Sequence, residues 1–275
     1  MSAYGYENAV REWQSYEISS GSDLRARLET FAIRFSFNSG KIENDGISYR
    51  DTHEIFEKGR VIDYTGDLKT LYEISNLKDA HELMCRWFED KKPLDESMVR
   101  EMHRTIAKGT YDDRRWELGE RPGSYKVNDI WGVGPDELAA PLDSIAAEIE
   151  EDLSQVREAI MDGGDPLTIA AWWHCRFEGI HAFADGNGRT GRALMNYLLV
   201  LQDMPPVIVF EEDRQDYYYA LDLFDKTGDP AAMVRFLKGQ CEKTWKKKSP
   251  VRNQSLTRAL ELRHGQKEDV PHRSR

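Results

Sequence analysis

The residues best able to do chemistry lie together at 181–192, where His181, Asp185, Arg189 and Arg192 surround the run Gly186-Asn187-Gly188. Glycines at 186 and 188 let consecutive backbone N–H groups converge on one anion, and a helix starting there would add its positive dipole end. Arg189 and Arg192 stand one turn apart, so their forked guanidiniums are expected to face one side and grip separate phosphates of a polyphosphate chain. Asp185 supplies the hard oxygen that Mg²⁺ takes beside phosphate oxygens. Four positions earlier, His181 can accept a proton near neutral pH. Taken singly, these are a packed histidine, a turn and a solvated arginine pair. Taken together, they are the parts of a phosphoryl- or nucleotidyl-transfer site.

Such a cluster needs rigid supports, and the apolar spacing supplies helices. Leu24, Leu28, Phe31 and Phe35 predict a helix over 23–36, broken near Ser39-Gly40. Ser48 caps a second helix carrying Ile55 and Phe56, and a longer run follows from Leu68 to Phe88. Pro93 stops that run, Asp95 caps the next helix, and Met98, Val99, Met102 and Ile106 form its buried stripe. Residues 111–141 are richer in charges and turn formers, with Tyr125, Lys126, Val127, Asn128-Asp129 and Ile130 to Val133 reading as a β-hairpin. Helix resumes from Pro141 to about Ile160. Asp165-Pro166 opens the buried helix that leads to His181, and further helices are expected over 189–202, 214–225 and 230–245. The body is mainly α, a helical bundle with a β-hairpin flap.

Composition narrows the function classes. The chain has 275 residues, 40% of them hydrophobic, enough for a substantial core. With 38 Lys+Arg against 49 Asp+Glu, the net charge of −11 argues against a protein that coats nucleic acid. No run approaches the roughly 20 apolar residues of a membrane span, and the N-terminus lacks the order of a signal peptide, so a cytoplasmic protein with no membrane contact is expected. Cys85, Cys175 and Cys241 lie far apart without a C-x-x-C pair and read as reduced, packed thiols. The end of the chain differs, with ten Lys/Arg against three acids over 243–275. It reads as a solvated terminus, with docking to an acidic partner or nucleic acid as the alternative.

The run 181–192 resembles the Fic (filamentation induced by cAMP) signature H-x-F-x-[DE]-G-N-G-R-x-x-R, and all eight fixed positions agree. Residues 172–180 resemble the helix before the Fic loop, 73–80 an upstream Fic helix and 217–229 the helix after it. The resemblance covers roughly residues 35 to 240. Ala182 departs from it, since the family usually has proline there.

The resemblance implies a Fic fold and AMPylation, the transfer of AMP from ATP to a Ser, Thr or Tyr hydroxyl of a protein, with self-modification among the outcomes. His181 would be the base, and Phe183 would anchor the loop. Asp185 would hold Mg²⁺. Gly186, Asn187 and Gly188 would cradle the phosphates, with Arg189 and Arg192 binding those that leave. The flap at Tyr125, Lys126 and Val127 would hold the target segment by β-augmentation. Ser39-Gly40-Lys41-Ile42-Glu43-Asn44 fits the family's inhibitory pattern [ST]-x-x-x-E-[GN], so Ser39, Glu43 and Asn44 would restrain the enzyme. The implied organisation is an N-terminal helical region with the inhibitory motif (1–50), a Fic core (51–245) and a basic tail (246–275). Other readings stay open: removal of AMP or transfer of another phosphate-linked group on the same loop, a catalytically silent binding module, or nucleic-acid binding through the tail. A zinc site at His174, Glu178 and His181 has suitable spacing but lacks H-E-x-x-H, and Gly179 is expected to end the helix before His181.

Overall fold

In the computed structural model, residues 5–130 and 140–246 are described. They carry α1 (Tyr6–Gln14), α2 (Gly21–Glu43), α3 (Tyr49–Lys58), α4 (Leu68–Glu89), α5 (Glu96–Ile106), α6 (Asp113–Glu117), α7 (Ile145–Met161), α8 (Pro166–Ile180) and α9 (Asn187–Leu201), then a 3₁₀ turn (Glu211–Asp213), α10 (Arg214–Thr227) and α11 (Ala231–Trp245). The fold is mainly α, and no strand occurs among the described residues. No described helix is long and apolar enough to cross a membrane.

Short polar side chains set many of the helix starts. Ser20 and Asp23 form a reciprocal capping box at α2, while Ser48, Asp95 and Asp165 each accept a backbone N–H of the helix they open. Each such cap contributes about 1 kcal/mol. The centre of the bundle is α9, buried along almost its whole length from Asn187 to Val200. Helices α2, α4, α5 and α8 pack around it. Trp173 and Phe177 of α8 and Leu194, Tyr197 and Leu198 of α9 are at most 1% exposed. Burial of such side chains stabilises the fold by roughly 1.5–3 kcal/mol each. The three cysteines are buried and unpaired.

Two expectations are corrected. Helix α2 does not break at Ser39-Gly40 but continues to Glu43, because the missing Cβ of Gly40 gives Ile47 and Leu77 room to lie against the helix. The glycine here serves close packing. The hairpin is absent over 125–130, where the backbone finds other partners: the Lys126 N–H donates to the Ala182 carbonyl, and the Val127 N–H to the Glu120 carboxylate. Residues 131–133, its second arm, lie outside the described residues.

The chain divides at its C-terminal end into Met1–Thr244 and Trp245–Arg275. Of the second unit only Trp245 and Lys246 are described, so the basic tail otherwise lies outside the described residues.

Candidate active site

Helix α8 runs one residue past Gly179 and ends before His181, its C-cap, whose φ of 48° places it in the left-handed region. Such a conformation costs a non-glycine residue about 1 kcal/mol or more and persists where surrounding contacts impose it. Asn187 braces the turn that follows. Its Oδ1 accepts the Phe183 N–H at 2.9 Å, and its Nδ2 donates to the Phe183 carbonyl at 2.8 Å, closing the loop on itself. Gly186, at φ 83°, then turns the chain into α9 as its N-cap. Phe183 is fully buried, lying flat on the His103 ring with centroids 3.6 Å apart.

This geometry orders the chemistry. Asn187 Nδ2 also approaches His181 Nε2 at 3.3 Å, so Nε2 is the unprotonated, accepting nitrogen. Burial, aided by Lys126, lowers the His181 pKa to about 4, leaving a neutral imidazole at physiological pH. Burial works to raise the Asp185 pKa but is outweighed by Arg189, Lys69 and Arg115, and the carboxyl is held below its ordinary value. Its oxygens lie 3.1 Å from Arg189 Nη2, 3.5 Å from Lys69 Nζ and 3.8 Å from Arg115 Nη2.

The two arginines diverge. Arg192 faces a cavity of about 340 Å³ lined by His181, Asp185, the 186–188 run, Glu43, Glu178 and Tyr217. Arg189 instead reaches under the loop to Glu73, with Nη1 2.9 Å from Oε1, and to Asp185. The expectation that both grip phosphates from one side is corrected to this extent. The buried Glu73 and the half-buried Asp185 are near enough to claim Arg189, and it does not line the cavity.

Arg192 is the cavity's buried cation, 1% exposed. Its Nη2 donates to Glu43 Oε1 at 2.7 Å and to the Ser39 carbonyl at 2.9 Å, and its Nε donates to Ser39 Oγ at 3.0 Å. Burial opposes its charge, but Glu43, Tyr217 and Glu178 hold the guanidinium pKa above its ordinary value. The Glu43 carboxylate lies against the Cα of Gly188, so it sits where an anion at the α9 N-terminus would sit. Asn44 follows it and donates to Glu73 Oε2 at 2.6 Å, the carboxylate group that also holds Arg189. Thus Ser39, Glu43 and Asn44 all meet the 181–192 region or its direct supports.

Glu178, another cavity residue, has no hydrogen bond at Oε1, and burial pushes its pKa up to about 8. His174 Nδ1 lies 3.8 Å from it, while His174 Nε2 is 2.8 Å from Tyr217 Oη. Among the described residues, no three His, Cys, Asp or Glu side chains converge on a point that could hold a metal ion. A cation at Asp185 would therefore be held in the way Mg²⁺ favours, by one ionised carboxylate with phosphate oxygens and water completing its shell. The donor set fits that ion.

Tyr125, Lys126 and Val127 lie beside the loop, without a strand. The Tyr125 ring is 5.4 Å from that of Phe183, and the Lys126 N–H bond to Ala182 is 3.0 Å long. Sequence reasoning missed Glu73, Lys69, Arg115 and His103 as parts of the site. His103 had a signal, a polar residue beside the apolar stripe of Val99, Met102 and Ile106, but its partner in space was not readable.

Residues 93–199 match the model of the Fic/DOC family. "Protein adenylyltransferase Fic" of Drosophila melanogaster is 28% identical over 235 residues, 82% of this chain and 44% of its own length. The chain thus spans less than half of these curated relatives. A Fic-domain-containing signalling protein from Bacteroides thetaiotaomicron superposes with a TM-score of 0.75 at 24% identity, covering 87% of this chain and 94% of its own. Fic-1 from C. elegans superposes with a TM-score of 0.66 at 23% identity, over 87% of this chain and 67% of that one. At these identities the two structures speak for the fold. Over residues 93–199 this chain is similar to the Fic/DOC family, and its fold is that of the Fic-domain structures it superposes on.

Proposed function

We propose that the protein is an adenylyltransferase that moves AMP from ATP to a Ser, Thr or Tyr hydroxyl of a target protein, itself included, and that Glu43 restrains it. The observation that carries this reading is the meeting of a half-buried His181 and the Arg192 guanidinium in one cavity across the N-terminus of α9. His181 Nε2 takes the proton of the target hydroxyl. That oxygen then bonds to the α-phosphorus of ATP as the bond from the α-phosphorus to the bridging oxygen breaks, and pyrophosphate leaves. The 186–188 run and the dipole of α9 receive the developing charge, and Arg192 binds the departing phosphates. Arg189 acts from beneath the loop, holding Asp185 toward the phosphates. Asp185 would hold Mg²⁺, which neutralises phosphate charge when bound.

Glu43 and nucleotide compete for Arg192. While the carboxylate sits over Gly188, the terminal phosphates of ATP lose their clamp and the α-phosphate is misaligned with the hydroxyl. Misalignment alone costs about two orders of magnitude. Incubation with ATP labelled at the α- or the γ-phosphate tests the reaction type, since AMP transfer leaves only the α label on protein. Retention of the γ label would assign phosphate transfer instead, and label on neither would leave a binding module. Release of AMP from a previously modified target would assign the reverse reaction.

A further inference from the structure

His103 is fully buried on α5 and takes no part in the chemistry above, yet both of its ring nitrogens are committed. Nδ1 accepts the Gly123 N–H at 2.8 Å, which leaves the proton on Nε2, and Nε2–H donates to the Asp185 carbonyl at 2.8 Å. Gly123 opens the segment that continues through Tyr125 and Lys126. Asp185 is the loop's carboxylate. One imidazole therefore bridges the segment to which the resemblance assigns target binding and the loop that carries Asp185.

The surroundings leave the bridge little freedom. The ring is stacked on Phe183 with 6° between the planes. Gly123 stands at φ 82°, and a Cβ there would strike the Arg104 side chain and the Arg100 carbonyl, so the segment is pressed against α5. Arg100 Nε donates to the Gly123 carbonyl at 3.0 Å, gripping the same residue from its other side. Further along, the Lys126 N–H reaches the Ala182 carbonyl at 3.0 Å. Segment and loop are thus tied at two places, and at one of them the tie passes through His103.

We propose that His103 is a positioning residue that fixes the register between segment 123–126 and loop 182–186, so that the docked hydroxyl and the phosphate cradle keep one separation. This deepens the adenylyltransferase reading and rests on it. Its physical content can be tested separately, because amides can replace the two ring nitrogens one at a time. Asparagine places an acceptor near Nδ1, and glutamine places a donor near Nε2. His103→Asn should keep the Gly123 bond and free the loop, and His103→Gln should keep the loop bond and free the segment.

Amide hydrogen exchange reads this directly. His103→Gln should speed exchange at Gly123 by about tenfold with the 183–187 amides near wild type, and His103→Asn should do the opposite. In a Glu43→Gly background, His103→Gln should raise the target KM with kcat kept, and His103→Asn should lower kcat with target KM kept. Nitrogen-15 NMR of the wild-type imidazole needs no substitution and should show a bare Nδ1 and a protonated Nε2. A proton on Nδ1, or equal loosening of both regions in both variants, overturns the proposal. Absence of AMP transfer by the Glu43→Gly protein would count against the adenylyltransferase reading alone, since exchange and NMR do not depend on it.

Discussion

The loop 181–186 and the segment 120–130 both lack regular structure, but they are held in different ways. The loop is braced in good part by residues beside it in sequence: Asn187 closes on both backbone groups of Phe183, and Gly186 makes the turn into α9. The segment is bound largely by others. Gly123 depends on His103 and Arg100, and Lys126 depends on Ala182, while Val127 and Asn128 lean on Glu120 at the segment's own start. A loop braced by its sequence neighbours can be read from them, whereas a segment shaped by distant residues cannot.

This contrast predicts where substitutions act. The largest effect belongs to the loop: His181→Ala should lower transfer by about 10²- to 10⁴-fold while ATP affinity, measured by calorimetry with Mg²⁺, stays near wild type. Full activity in that variant would remove His181 from the chemistry. On the segment, Glu120→Ala removes the acceptor of Val127 and Asn128 and should raise the target KM by about tenfold without changing ATP affinity. An equal change in both would mean that segment and loop are one unit, and the contrast would fail.

Beneath the loop, Gly191 lets α8 and α9 touch, for a Cβ there would press on Phe177 and His174. Gly191→Ala should therefore cost about 1–3 kcal/mol in denaturant unfolding, with no loss at a well-packed site being the contrary result. The smallest effect is that of pH. Only unprotonated His181 accepts a proton, and its pKa is lowered to about 4, so transfer should be nearly flat from pH 8 to about pH 5.5 and fall as pH drops toward 4. A fall centred near pH 6.5, the ordinary histidine value, would show that burial does not tune this residue.

Legibility followed the same division. Ser48, Asp95 and Asp165 mark helix starts because a cap bonds within its own first turn. The candidate site cluster was legible for a similar reason, its parts lying within twelve residues. What escaped the sequence depended on partners far away. Gly40 reads as a break until Ile47 is seen lying against it. Tyr125 to Val133 read as a hairpin by side-chain type, but in its first arm Ala182 and Glu120 take the N–H groups of Lys126 and Val127. Arg189 and Arg192 look equivalent by spacing, yet Glu73, more than one hundred residues earlier, draws one of them under the loop. The short α6 was hidden among charges with no apolar period, and its start rests on the Asp112 cap.

The central claim is that the cavity transfers AMP and that Glu43 withholds Arg192 from the nucleotide. The direct measurement is incorporation of α-labelled ATP into protein, with Mg²⁺, by wild type, Glu43→Gly and Glu43→Gly/Arg192→Ala. The account predicts a nearly silent wild type, an increase of about two orders of magnitude in Glu43→Gly, and silence again in the double variant, whose phosphate clamp is gone. Equal incorporation by wild type and Glu43→Gly, or undiminished incorporation without Arg192, would contradict it.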